Sequence, residues 1–357
     1  MGGTDFTKEK VVAIDVKKGR SISDLLSMMG DTGFQGRKLA EAVDVFEKMI
    51  NDPDVTILFG YAGSLSTTGQ WKIINWLIEN RYIDILVGTG ANLSEDIVDA
   101  MGHDYYKGSP ELDDAELLKK DYNRYYDVLG NEWHYMEMTE LIADFYVNNL
   151  ERGRPYSSRE IFYHFGNWLQ KKNINSIIAT AAKHKVPVFC PAVVDSPYGD
   201  AGLIAKSKGF DLVIDNMKDY IEFMSLGEKV KSTGVCYIGG GVPKDFIQLF
   251  AVTPDLMYEE RTIPGREADV KRSTNGKKTE TYYPHQYAIQ ITSDSPQWGG
   301  LSGCTFEEAS SWGKEAFDAP RAQCFCDATI GLPILAHALA ERIDKPRKGT
   351  DFSHLFK

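Results

Sequence analysis

Apolar runs of strand length recur along the chain, each closing on small residues and then giving way to a segment of helical periodicity. TILFGYAGSL (residues 56–65) is followed by STTGQWKIINWLIENR, and IDILVGTGANL (83–93) by SEDIVDAMG. PVFCPAVVD (187–195) leads into SPYGDAGLIAKSKG, DLVID (211–215) into NMKDYIEFMSLG, and VCYIGGGV (235–242) into PKDFIQLF. YAIQIT (287–292) and AQCFCDATI (322–330) complete the series, the last running into GLPILAHALAERI. Unbroken apolar strands suit a sheet covered on both faces, and their alternation with helices predicts a doubly wound, mostly parallel, Rossmann-like α/β fold. No internal repeat or low-complexity linker divides the chain, so one domain is expected over residues 1–357, with 1–20 as an N-terminal extension. Residues 258–286 are polar and carry an Asn275-Gly276 hairpin signal, which predicts a surface excursion.

In such sheets ligands bind beyond the carboxyl ends of the strands. There the chain places GYAGSLSTTG, GTGANLSED, VVDSPYGD, GGGVPKD and CDATIG, which mix glycine with hydroxyl and carboxylate side chains. Glu95, Asp195, Asp200 and Asp327 fall at or just after strand ends. Any one of them can cap the following helix, but all four doing so is the less economical reading. The G-x-G-x-x-G fingerprint is absent, and GGGVPKD suits either a ligand-facing backbone or a tight turn with Pro243 near a helix start. On these grounds alone the chain is an α/β protein that binds a small molecule.

Composition narrows the partners. The 357 residues are 43% hydrophobic and 25% charged, as in ordinary globular proteins, with a formal net charge of -11. That balance argues against a general nucleic-acid binder and suits cationic ligands such as a polyamine or a basic protein, although solubility alone also explains it. Five cysteines, mostly in apolar runs, predict no disulfide framework, and Cys324 and Cys326 read as strand residues rather than zinc ligands. The histidines show no metal-ligand spacing, so no metal is expected. The 105–151 stretch, rich in Tyr, Trp and Met, reads as packing. No segment is apolar enough to span a bilayer and no signal core precedes the chain, so a soluble, cytoplasmic protein is expected.

GGLSGCTFEEASSWGK (299–314) places Lys314 beside Trp312 and two carboxylates, Glu307 and Glu308. A lysine is a nucleophile only while neutral, which partial burial promotes, though the same pattern also describes a surface lysine closing a turn. EEASSWGK followed by CDATIGLP resembles the active-lysine region of the deoxyhypusine synthase family. GYAGSLSTTG with GTGANLSED, then PVFCPAVVDSPYGD, then YIGGGVPK resemble that family's segments in the same order, from about residue 32 to 343.

The resemblance implies a homotetrameric aminobutyl transferase that uses NAD, with spermidine as donor and sites near subunit contacts. It implies that Lys314 forms a covalent imine and that Ser64, Thr67, Thr89, Gly90, Glu95, Asp195, Asp327 and Ala328 contact NAD, with Ser293 and Asp294 as further candidates. Asp200, Glu308 and Trp312 fall in the implied polyamine site, to which Glu95 also contributes. Ser94, Asp245 and Leu301 depart from the eukaryotic pattern, where a Glu, a His and an Asp are usual. They are more like the deoxyhypusine-synthase-like branch of prokaryotes. The implied acceptor is a lysine of the hypusine-containing translation factor. A small amine such as putrescine, giving homospermidine, is the alternative, and a non-catalytic NAD or polyamine sensor is the alternative of another class.

Overall fold

The computed structural model describes residues 7–274 and 278–356. Six strands form the central sheet: β1 Val55–Tyr61, β2 Ile85–Gly88, β3 Val188–Phe189, β4 Ser232–Ile238, β5 Tyr287–Thr292 and β6 Arg321–Phe325. Every pairing among them is parallel, and their order is β6-β5-β4-β1-β2-β3. The sheet therefore grows outward in one direction from β1 to β3 and in the other from β4 to β6. This is the doubly wound arrangement that the sequence periodicity predicts, with its topological switch between β1 and β4.

β1 shows why these runs become strands. All seven of its residues are buried, and they alternate between two cores. Val55, Ile57, Phe59 and Tyr61 join the larger core, which includes the Phe34–Asn51 and Trp71–Glu79 helices. Leu58 joins Val235 and Tyr237 of β4 in the smaller one, which includes the Gly241–Val252 helix. Successive strand side chains point to opposite faces, so a strand covered on both sides is apolar at every position.

The structure departs from the expected pattern in three places. DLVID does not enter the central sheet: Val213–Ile214 pairs instead with Pro155–Tyr156 in a separate two-stranded unit. Its extended stretch is only two residues long, because Asp215 already caps the next helix by accepting from Lys218 N. The 105–151 region carries a small antiparallel sheet of Tyr106–Lys107, Tyr122–Tyr125 and Val128–Asn131 before the Glu132–Asn149 helix. In 258–286, Val270–Thr274 and Lys278–Tyr282 pair as a hairpin, while Asn275 and Gly276 lie outside the described residues. The flanks of that excursion are not on the surface. Ile263, Tyr283 and His285 are buried, and Ile263 N donates to Tyr283 Oη at 2.9 Å.

Candidate active site

At the switch between β1 and β4 the carboxyl ends of the strands open into a cavity of about 410 Å³. Gly63 and Ser64 follow β1, Gly239 to Gly241 follow β4, Ser293 and Asp294 follow β5, and Asp327 and Ala328 follow β6 along its wall. The three glycines are required by the backbone. Gly239 and Gly241 have φ of 71° and 60°, and a Cβ on Gly240 would lie 2.6 Å from Ser302 O. The Gly241–Val252 and Ala328–Arg342 helices both begin here, so the positive ends of two helix dipoles meet the cavity, an arrangement that favours an anionic group such as a pyrophosphate.

Among the four strand-end carboxylates, Asp327 is the one that caps a helix, its Oδ1 accepting from Thr329 N at 2.8 Å. Ser94 and Ser196 hold the N-cap positions beside the other three. Asp195 and Asp200 are thus left exposed and uncommitted to capping.

A second cavity, of about 270 Å³, lies between the segment after β1 and the 104–107 segment and is lined by Thr67, Asp99 and Tyr105. Thr67 Oγ1 donates to Ser64 O at 3.0 Å, and Asn92 Nδ2 donates to Thr89 Oγ1 at 3.1 Å. Gly90 packs against Ser196, and its carbonyl accepts from Ser94 Oγ at 2.9 Å. Glu95 opens the next helix nearly buried, and its Oε2 has no hydrogen-bond partner among the described residues. Burial, with Asp96 adding like charge, pushes the Glu95 pKa up to about 7. Asp96 is likewise pushed to about 7 by burial, although its Oδ2 accepts from Ile177 N at 2.6 Å. Tyr105, Tyr125 and Tyr135 wall this pair, and the field of Glu95 reaches all three hydroxyls, whose pKa values burial raises. Asp200 acts on Tyr135 from the next strand's helix. A buried acid with an open oxygen, poised near neutral pH, is suited to receive an ammonium group.

Lys314 lies elsewhere. Thr305 caps the Phe306–Ser311 helix, and Gly313, at φ 77°, turns the chain under Tyr282 where a side chain would clash. Lys314 N donates to Ala309 O at 3.1 Å, and Lys314 O accepts from His285 N at 2.9 Å, which fixes the residue just before β5. Its Nζ lies 3.3 Å from Gln248 Oε1 and 5.5 Å from the Trp312 ring centre. Trp312 is 63% exposed, so it walls one side only, and Glu308 is exposed on the same helix.

Two neighbours escaped the sequence reading. Gln248 and Glu315 are both buried to 1% exposure, and neither oxygen of Glu315 has a hydrogen-bond partner among the described residues. Burial drives the Glu315 pKa well above the carboxylate range. The available signal was Lys244 and Gln248 at i, i+4 spacing, which puts both on one face of the Gly241–Val252 helix. Lys244 Nζ, also buried, donates to Gln290 Oε1 at 2.9 Å and to Cys304 O at 2.8 Å. Burial lowers its pKa.

One chain therefore holds the expected residues in two groups. Ser64, Thr67, Glu95, Asp327 and Ala328 stand beyond the carboxyl ends of the strands. Lys314, with Trp312 and Glu308, stands toward the amino ends of β5 and β6, where His285 and Glu315 form a bridge. Lys314 lines neither cavity. Of the departures noted in the sequence, Asp245 and Leu301 are exposed, whereas the Ser94 hydroxyl is spent on Gly90 O.

A family model described as deoxyhypusine synthase matches residues 24–339. The chain is 44% identical over 339 residues to "Probable deoxyhypusine synthase 2" of Methanosarcina mazei, covering 94% of this chain and 91% of that one. It is 42% identical over 311 residues to the protein of the same name from Archaeoglobus fulgidus, covering 87% and 95%. Against a "Deoxyhypusine synthase-like protein" of Elusimicrobium minutum it is 33% identical over 353 residues, covering 97% and 88%. Identity is thus higher to these archaeal relatives than to the bacterial one. In fold, it superposes on a crystal structure of a candidate deoxyhypusine synthase from Entamoeba histolytica with a TM-score of 0.60 at 17% identity, covering 96% of this chain and all of the other. Model and relatives together span nearly the whole sequence, so this chain belongs to the deoxyhypusine synthase family of NAD-using transferases.

Proposed function

We propose that the protein transfers an aminobutyl group from spermidine, through an imine on Lys314, to a lysine of the hypusine-containing translation factor. The observation that carries this reading is a partly buried lysine whose amine is held by the Gln248 carbonyl in a chain of this family. NAD fits the crevice at the switch point, where glycines admit close backbone approach and two helix N-termini converge. Ser64, Thr67, Thr89, Gly90, Glu95, Asp195, Asp327 and Ala328 would hold it, with Ser293 and Asp294 on the same wall as Asp327. When bound, NAD supplies the acceptor for a hydride from the spermidine carbon next to nitrogen and the source of its return. Lys314 attacks the resulting imine carbon, 1,3-diaminopropane departs, and a four-carbon Schiff base stays on Lys314. The acceptor amine then displaces Lys314. Glu95 and Asp200 pair with the donor's ammonium groups, Glu308 adds a carboxylate at the Lys314 end, and Trp312 packs on the alkyl chain. Supplying the translation factor or putrescine to the same loaded protein separates the two acceptors.

The separation of Lys314 from the crevice within one chain supports a site completed by a second copy, in keeping with a homotetramer. Trp298, Leu301, Trp312 and Phe317 are large, apolar and exposed around the Lys314 segment, a surface that an identical partner would cover. Gly240→Ala, which brings a methyl against Ser302, is expected to weaken NAD binding by about tenfold or more by equilibrium titration. Co-expressed with Lys314→Ala, it is expected to regain turnover, because one subunit keeps the crevice and the other the lysine. Two inactive variants that stay inactive together would rule out the shared site.

Polyamine affinity should also depend on pH. Below pH 7 Glu95 is mostly protonated, while the ammonium groups of spermidine stay charged, so binding must displace a proton. Affinity is expected to rise up to about tenfold per pH unit below 7 and level off above it. Glu95→Gln should bind more weakly with a flat profile, as calorimetry at pH 6, 7 and 8 would reveal.

A further inference from the structure

Two thiols meet where β6 runs out into the crevice, and the transfer reading uses neither. All five cysteines are free, and the Cys324 and Cys326 sulfurs lie 3.5 Å apart. Alternate residues of a strand share a face, and the chain bends at Cys326, just past the end of β6. Gly331, in the first turn of the next helix, leaves room for the second sulfur: a Cβ there would stand 3.0 Å from Cys326 Sγ. The two sulfurs differ in access, since Cys324 has no exposed surface whereas Cys326 is only partly buried. The Cys324 thiol donates to the Cys326 sulfur, and this contact lowers the Cys326 pKa against burial and the Asp327 charge while raising that of Cys324. The thiolate, which is the reactive form, is therefore favoured at the sulfur that solvent reaches.

The sulfurs also differ in freedom to move. Cys324 is fixed in the sheet: the β5–β6 register sets it opposite Ile291, and the next amide, Phe325 N, donates to Gln35 Oε1 at 2.6 Å. Cys326 lies outside the ladder, and its chain neighbour is Asp327, whose Oδ1 accepts from Thr329 N at 2.8 Å and so caps the Ala328–Arg342 helix. Asp327 and Ala328 both line the 410 Å³ crevice. A movement that closes the gap between the sulfurs thus falls on Cys326 and on the helix start, and reaches the crevice wall directly.

We propose that Cys324 and Cys326 form an oxidation site for hydroperoxides, closing to a disulfide that weakens the crevice until a thiol reductant reopens it. The Cys326 thiolate attacks the terminal peroxide oxygen: an S–O bond forms, the O–O bond breaks, and the other oxygen leaves with a proton as water or an alcohol. Cys324 then gives up its proton and attacks the Cys326 sulfur, an S–S bond forming as the S–O bond breaks and water departs. The two thiols lose two electrons and the peroxide gains them. Bonded sulfurs stand about 2.05 Å apart, so closure pulls Cys326 toward the fixed strand and draws Asp327 away from its cap. The effect on NAD rests on the crevice being the NAD site, whereas the thiol chemistry does not.

The test treats the full-length reduced protein with hydrogen peroxide, returns a portion to dithiothreitol, and reads the peptide carrying both cysteines by mass spectrometry after alkylation. In the oxidised sample that peptide is expected to lose two hydrogens and take up no alkyl group, and NAD affinity by equilibrium titration should fall about tenfold, with dithiothreitol restoring both. Cys326→Ser should bind NAD as the reduced wild type does and keep that affinity through peroxide. Cys324→Ala should stop one step earlier, at a sulfenic acid on Cys326 that dimedone traps. A wild-type Cys326 that still alkylates after peroxide, a disulfide that leaves NAD affinity unchanged, or a Cys326→Ser protein that loses binding to peroxide as the wild type does would each overturn the proposal. Reduced wild-type protein that binds no NAD would instead sink the reading of the crevice, and the mass of the peptide would still decide whether the two thiols form an oxidation site.

Discussion

Lys314→Ala is expected to lose essentially all release of 1,3-diaminopropane from spermidine, a fall of roughly three orders of magnitude or more, while NAD still binds. The size follows from the route: without the amine there is no covalent intermediate, and no neighbouring group replaces it. Lys244 is another lysine whose charge reaches Lys314, but its amine is committed to Gln290 Oε1 and Cys304 O deep in the core. Lys314→Arg should be as inactive, because a guanidinium keeps its charge and cannot form the imine. NAD binding persists because the 410 Å³ crevice lies on a different part of the fold, at the carboxyl ends of β1, β4 and β6. A variant that keeps a tenth of the wild-type rate would mean that the lysine assists rather than carries the transfer.

The second large effect concerns stability and lies far from the chemistry. Asp84, fully buried just before β2, accepts from Ile57 N at 2.9 Å and Thr350 N at 2.8 Å and pairs with Arg347 at 2.5 Å. Arg81 adds a longer contact at 3.5 Å and donates to Thr350 O at 2.9 Å. One carboxylate thus ties β1, the entry to β2 and the C-terminal segment together. Asp84→Ala leaves the buried Arg347 guanidinium without its carboxylate and the Ile57 and Thr350 amides without an acceptor. Removing one member of a buried charge pair costs about 3–5 kcal/mol. Urea unfolding should register a loss of that size, with smaller damage for Asp84→Asn, which keeps the shape and one carbonyl oxygen. A loss under 1 kcal/mol would mean that the C-terminal segment is held by other contacts.

The sheet was legible because its strands are covered on both faces, so burial writes itself into sequence as unbroken apolar runs. β1, β2, β4 and β5 read that way, while β6, at the sheet edge, is only partly buried on alternate residues. DLVID failed because a short apolar run carries no information about its partner, and Val213 is in fact 42% exposed. The crevice was legible through glycines and strand-end hydroxyls, whose chemistry is local. Gln248 and Glu315 were not, because it is distant elements that bury them, and a glutamate following a lysine reads as a solvated pair. Asp84 was hidden for the same reason: two of its partners, Arg347 and Thr350, lie more than two hundred residues away. The strand-end carboxylates fell between these cases, since the presence of Ser94 and Ser196 decided which of them were free to meet a ligand.

The most direct test of the account is to incubate the purified protein with NAD and spermidine, without acceptor, and to reduce the mixture with borohydride. An aminobutyl adduct mapping to Lys314, in proportion to the 1,3-diaminopropane released and absent without NAD, is the expected result. No adduct and no diaminopropane from protein that binds both ligands would contradict it.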